Sequence, residues 1–186
     1  MEIYPMYEGL KIVPLGALVD LEKVVFNTSA EKTYSDEKWG ESHFSYSLPG
    51  KEKFSFLCID HGKLIGLLIG YENMPGWGYV SRLAVHPEYH GRGIGSSLLN
   101  MQSEVMFGSG MKFQTMEVSR YNERAVRLYN RLGFHLISGD ALSLYCELKN
   151  KPLETFSGDS RQRVVLAKLP NDSDLSTMLR LYKNLH

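Results

Sequence analysis

The stretch YVSRLAVHPEYHGRGIGSSLLNMQSEVMF, which begins at Tyr79, leaves this chain few folds to choose from. An apolar strand runs to Val85 and stops at His86-Pro87, because proline lacks a ladder donor and restricts the residue before it. Gly91, Gly93 and Gly95 follow at alternate positions, and a helix opens at Ser96-Ser97. Strand, glycine turn and helix N-terminus together make an anion seat. The first-turn N–H groups have no intrahelical acceptor, the helix dipole favours negative charge, and glycines let a phosphate approach the backbone.

Such a turn serves several kinds of site. A phosphate-binding P-loop needs Lys-Ser/Thr after its last glycine, and Ile94-Gly95-Ser96-Ser97 supplies none. The dinucleotide fingerprint sets its third glycine one residue beyond Gly95 and wants an acid about 20 residues on. Glu117 lies somewhat further, which weakens that reading and leaves it open, as it leaves an ordinary glycine-rich turn. His90-Gly91-Arg92-Gly93-Ile94-Gly95 resembles a third pattern, [Q/R]-x-x-G-x-[G/A], the pyrophosphate loop of the GNAT superfamily of acetyl-CoA-dependent N-acetyltransferases. His90 stands where Gln or Arg is usual. A second segment, MEVSRYNERAVRLYNRLGF from Met116 to Phe134, resembles another motif of that family, E-V-x-x-x-N-x-x-A-x-x-L-Y-x-x-x-G-F. Asn122, Ala125, Leu128, Tyr129, Gly133 and Phe134 all fall in place. Within the family it is most similar to the ribosomal-protein alanine and protein N-terminal acetyltransferase group.

The chain's 186 residues suit a single domain over 1–186, large enough to bury a core. Formal net charge is zero, which gives no field for nucleic acid or an anionic membrane surface, and neither is expected as a partner. No apolar run reaches the roughly 18–20 residues that span a bilayer. MEIYPMYEG lacks a basic region followed by an apolar core, so no secretory leader is expected. Cys58 and Cys146 lie far apart in apolar, strand-like runs and read as reduced, buried cysteines of a cytoplasmic protein.

Along the chain, Leu10–Pro14 reads as a first strand and Gly16–Asn27 as a helix with Ala17, Leu18, Leu21, Val24 and Val25 on its apolar face. Asp36–Tyr46 reads as a second helix, ended by Pro49-Gly50. Phe54–Asp60 and Lys63–Tyr71 form a hairpin, and Glu72–Gly76 turns the chain into Tyr79–Val85. The Ser96–Gly108 helix, a Lys112–Val118 strand, the Asn122–Leu132 helix and a Phe134–Ser138 strand come next. Leu142–Leu148 alternates as a strand would, 150–161 reads as a polar loop, and Arg163–Leu169 is a last strand. Ser173–His186 sets Leu175, Met178, Leu179, Tyr182 and Leu185 on one helical face, which packs on the body or seals a homodimer.

That order resembles the whole GNAT fold over about Leu10 to Leu169, with 173–186 as an extension. The fold class expected is a mixed α/β (α+β) sheet of about seven strands, with helices on both faces and an extra C-terminal helix. The resemblance implies that the parallel strands ending at Val85 and Val118 splay at a bulge and admit pantetheine between them. It implies that the amides of Gly91, Arg92, Gly93, Gly95 and Ser96 grip the pyrophosphate of acetyl-CoA. Leu83 and Val85 would offer backbone bonds to pantetheine, one of their N–H groups facing the acetyl oxygen as an oxyanion donor. Asn122 would cap its helix and bond pantetheine.

The resemblance implies that Tyr129 sits beside the sulfur as general acid, a role that a phenol's ordinary pKa of about 10 suits; a core tyrosine is the plain alternative. Glu117 is the candidate base, acting directly or through water, against a carboxylate that merely pairs with Arg120 or another strand neighbour. Trp39, His43, Phe44 and Tyr46 are candidates for acceptor contact or plain packing. His86 and His90 make no metal site, because Pro87 rules out a helix spanning them and no third ligand lies nearby. The expected product is CoA, formed by direct transfer to an amine, with no metal. The acceptor is a peptide N-terminus or a small amine such as a polyamine, amino acid or aminoglycoside. A non-catalytic acyl-CoA-binding module on the same fold is the competing class.

Overall fold

In the computed structural model, which describes residues 1–27, 39–156, 163–170 and 174–185, seven strands build one sheet. They are β1 (Glu2–Pro5), β2 (Phe56–Asp60), β3 (Lys63–Met74), β4 (Trp77–Val85), β5 (Phe113–Ser119), β6 (His135–Leu136) and β7 (Arg163–Lys168). The helices are α1 (Met6–Gly9), α2 (Leu15–Asn27), α3 (Glu41–Ser45), α4 (Lys51–Phe54), α5 (Ile94–Gly108), α6 (Glu123–Arg131), α7 (Gly139–Leu148) and α8 (Leu175–Leu185). The sheet order is β1-β2-β3-β4-β5-β7-β6, antiparallel throughout except for the β4–β5 pair. β3 is central and apolar on both faces, as a strand covered on both sides must be.

Two layers of helices cover the sheet. On one face α5 and α6 bury Ile94, Leu98, Leu99 and Tyr129 against Cys58, Leu68, Val80, Met116 and Val164. On the other, α2 packs Leu18, Leu21 and Val25 against Leu57, Leu67 and Ala84. Beside it α7 and α8 pack Tyr145, Cys146, Leu175 and Leu179 against Trp77, Phe113 and Val165. Alternation along β7 separates the faces, Val164 and Leu166 pointing to α6 and Val165 and Ala167 to α7.

Several elements differ from the sequence-based reading. Leu10–Pro14 is not a strand; the first strand is Glu2–Pro5, which extends the sheet edge beside β2 with Ile3 and Tyr4 packing on opposite faces. Leu142–Leu148 belongs to a helix. Its apolar residues satisfy both periods, but Ala141, Leu142, Tyr145 and Cys146 are the buried set, and that spacing is helical. Cys146 is therefore a helix residue; it and Cys58 are both free and buried. Glu72–Met74 continues β3, which shortens the following turn to Pro75-Gly76. Val24 is exposed, lying just off the buried stripe of α2. The second helix is described only over Glu41–Ser45; positions 36–38 and 157–162 lie outside the described residues.

The C-terminal helix packs on the body. Leu175 and Leu179 enter the α7 cluster, Arg180 donates to Asp140 at 2.7 Å, and Lys183 donates to Glu147 at 2.9 Å. The side chains of Tyr182 and Leu185 lie outside the described residues.

Candidate active site

Parallel pairing of β4 with β5 runs from Trp77↔Phe113 to Val80↔Met116 and ends there. Beyond that point β4 continues against β3 and β5 continues against β7, so the two strands diverge. The cause is local. Ile69 pairs with Arg82 and Gly70 with Val80, which leaves Ser81 as a bulge. A bulge inserts one residue, bends the strand and raises its twist. It also resets the alternation, so Val80 and Leu83 face α5 and α6 while Arg82 and Ala84 face α2. The splay exposes strand edges at Ser81–Val85 and Glu117–Ser119.

At the end of β4 the chain makes a 3-10 turn over Pro87–Tyr89 and then the glycine loop. Gly91 and Gly93 have φ of +78° and +79°, a region closed to most side chains, and Gly93 is the N-cap of α5. The first turn of α5 carries no acidic residue, so nothing of the chain's own opposes an anion there. His90, the departure from the family pattern, ties the loop down. Its Nε2 donates to the Val85 carbonyl at 2.8 Å while Arg124 Nη1 donates to its Nδ1 at 2.9 Å, an arrangement that one neutral tautomer satisfies.

Splay and loop open into one cleft of about 910 Å³. Leu83, Val85, Gly91, Gly93, Gly95, Ser96, Glu117, Asn122 and Tyr129 all line it. Arg92 does not; its guanidinium stacks over the Tyr89 ring at 4.8 Å. Asn122 Oδ1 accepts from the Ala125 N–H at 3.1 Å and caps α6. Tyr129, 9% exposed, sits on the α6 side with its ring edge-on to Phe134. Of the aromatic group near α3, Trp39 lines the cleft, His43 stacks on Trp39, Phe44 is core, and Tyr46 is 66% exposed.

Glu117 approaches from the opposite face of the sheet, and the splay is what brings it to the same cleft as Tyr129. Its side chain is 5% exposed, and its oxygens are held by residues that sequence reasoning did not single out. Oε1 accepts from Tyr145 Oη at 2.7 Å and from Lys151 Nζ at 2.6 Å, and Oε2 accepts from Lys151 at 2.8 Å. Arg163 donates to the Glu117 backbone carbonyl at 3.2 Å, and its Nε lies 3.6 Å from Oε2. Glu117 thus pairs with Lys151 and Arg163 rather than with Arg120. Burial, reinforced by Tyr79 and by the Glu117 carboxylate, pushes the Tyr145 phenol far above its usual range, so it stays a donor. A carboxylate offers about four lone-pair sites. Three are taken, and the fourth, on Oε2, has no hydrogen-bond partner among the described residues.

The cleft's other wall carries a second unread pair. Arg82 Nε donates to both Glu22 oxygens, at 3.0 and 2.9 Å, its Nη2 bonds the same carboxylate, and the guanidinium lies over Trp39. A signal for it existed: Glu22 falls among Leu18, Leu21 and Val25 on the buried stripe of α2, where a carboxylate needs a partner.

A sheet splayed at a bulge, with a glycine turn and helix N-terminus below the opening and Tyr129 and Glu117 lining one cleft from opposite faces, is the arrangement that the sequence resemblance implied. The acetyltransferase (GNAT) family matches residues 19–134, and the chain belongs to that family. It is 30% identical to N-alpha-acetyltransferase 30 of Schizosaccharomyces pombe over 102 residues, 53% of this chain and 68% of that protein. It is 35% identical to N-alpha-acetyltransferase MAK3 of Arabidopsis thaliana over 95 residues, 50% of this chain and about half (48%) of that protein's length. The fold is similar to that of a PaiA N-acetyltransferase from Thermoplasma acidophilum in complex with coenzyme A. The TM-score there is 0.66 at 17% identity, covering 90% of this chain and 98% of that one.

Proposed function

We propose that this protein, acting as one domain, moves an acetyl group from acetyl-CoA directly to the α-amine of a protein or peptide N-terminus. The observation that carries the reading is the convergence of Tyr129 and Glu117 on the splayed strands from opposite faces of the sheet. Donor and acceptor then meet through the sheet rather than competing for one mouth. The two N-alpha-acetyltransferase relatives support the choice of an N-terminal acceptor. Free buried cysteines fit a cytoplasmic protein.

Acetyl-CoA supplies an activated thioester carbonyl. The residues present suit it: the amides of Gly91, Arg92, Gly93, Gly95 and Ser96 hold the pyrophosphate, and the opened edge at Leu83 and Val85 bonds the pantetheine arm. Asn122 borders that arm. An N–H of the same edge polarises the carbonyl. Glu117 takes the amine proton on its remaining Oε2 lone pair, and Tyr129 protonates the departing sulfur. No cysteine lines the cleft among the described residues, which fits direct attack without an acetyl-enzyme.

The test is thiol release from acetyl-CoA in the presence of N-terminal peptides. Removing one acid–base group typically costs about 10²–10⁴-fold, so Tyr129→Phe is expected to lose activity on that scale while binding CoA as the parent does. Full activity in Tyr129→Phe excludes its role as the acid.

A further inference from the structure

Resting on that reading, we infer that the preferred acceptor carries a carboxylate close to its amine: a peptide with an acidic side chain in its first residues, recognised by Arg163 and Lys151. On the cleft's α2 and α7 side the charged side chains in play are Arg82 with its partner Glu22, and Glu117 with Lys151 and Arg163. Arg82 is neutralised by Glu22 at close range and out of water, their side chains being 12% and 3% exposed. Glu117 has one negative charge to share between two cations. Lys151 takes it by direct contact, and Arg163 is left with a 3.6 Å approach.

Arg163 is thus a cation with most of its capacity unspent. A guanidinium has five N–H donors. One reaches the Glu117 carbonyl at 3.2 Å, and Nε is buried with no hydrogen-bond partner. Its side chain is 40% exposed and that of Lys151 36%, both toward the cleft. Arg163 also opens β7, directly across from Ser119 at the end of the splayed β5, which fixes its backbone beside the acceptor's path. A guanidinium fork suits a carboxylate in two-point contact, and a polycationic acceptor would meet like charge. Polyamines and aminoglycosides are disfavoured for the same reason.

The test uses three peptides that differ only in Asp, Asn or Lys at the second residue, titrated by calorimetry into the full chain loaded with CoA. Losing one charged hydrogen-bond partner corresponds to about a tenfold change in affinity. Binding is therefore expected to weaken about tenfold from Asp to Asn and further to Lys, with the Asp advantage shrinking as salt rises. Arg163→Lys should keep most of the order, Arg163→Gln should shrink it, and Arg163→Glu should abolish it. Equal binding of all three peptides to the parent protein, or an Asp preference that survives Arg163→Glu, overturns the inference and leaves the transferase reading standing. If acetyl-CoA binds and no peptide prompts thiol release, the peptide reading falls, and this inference with it.

Discussion

Glu22→Gln isolates the buried ion pair that supports the acceptor wall. The change keeps the side chain's shape and removes its charge, leaving Arg82 only 12% exposed and facing a neutral amide. Removing one partner of a buried pair costs about 3–5 kcal/mol, because the survivor stays desolvated and has lost its close counter-charge. Three guanidinium contacts and 3% exposure of the carboxylate place this pair in that regime rather than among surface pairs. For a chain of this size about 1 kcal/mol shifts Tm by roughly 2–4 °C, so a fall of about 6–20 °C is expected. Replacing both residues, as Glu22→Leu with Arg82→Met, removes both buried charges and keeps the volume, and should cost under about 2 kcal/mol. The double variant is thus more stable than Glu22→Gln alone. Urea unfolding followed by circular dichroism measures both variants beside the parent protein. A Glu22→Gln cost under about 1 kcal/mol, or a double variant less stable than Glu22→Gln, refutes the reasoning.

Other expectations rest on the same structure. Lys51 is 4% exposed and donates to the carbonyls of His43, Phe44 and Tyr46 at 2.9, 2.8 and 2.7 Å, with burial lowering its pKa. Lys51→Met orphans those carbonyls and should cost about 2–4 kcal/mol in urea unfolding. Gly70→Ala would set a Cβ inside the Gln102 amide, which donates to the Phe54 carbonyl at 2.8 Å, and 3.0 Å from that carbonyl. Breaking this buried bond should cost about 2–4 kcal/mol and lower Tm accordingly. Burial raises the Cys58 thiol from about 9 to about 11, so the folded state holds the proton that the unfolded chain releases. The resulting stability, on the order of 2–3 kcal/mol, is present below pH 9 and lost as pH rises through 11. A Cys58→Ala variant should show a correspondingly smaller loss over that window.

Legibility in the sequence followed the chemistry. Backbone-driven features were readable: the glycine loop needs positive φ at Gly91 and Gly93, Asn122 caps by its side chain, and β4 and β5 run parallel. The family resemblance supplied the splay, and Ser81 shows its cause as a bulge that no residue type announces. Segments with mixed periodicity misled. Leu142–Leu148 fits two periods, and only packing against Trp77 and Phe156 settles it as helix. β1 is too short to show alternation and forms because β2 offers an unpaired edge. Charged partners were the least legible. Glu117 meets Lys151 from 34 residues away and Arg82 meets Glu22 across 60, separations that local pattern cannot bridge.

The central claim is direct acetyl transfer to a peptide α-amine. Its most direct measurement is fragment-resolved mass spectrometry of an N-terminal peptide that also contains an internal lysine, incubated with acetyl-CoA and the protein, alongside the intact mass of the protein itself. The account predicts one acetyl group on the peptide's α-amine, matched mole for mole by released CoA, none on the lysine, and no acetylated protein accumulating. Acetyl on the lysine instead, an acetyl-enzyme that forms before the peptide is added, or CoA release without any modified peptide would contradict it.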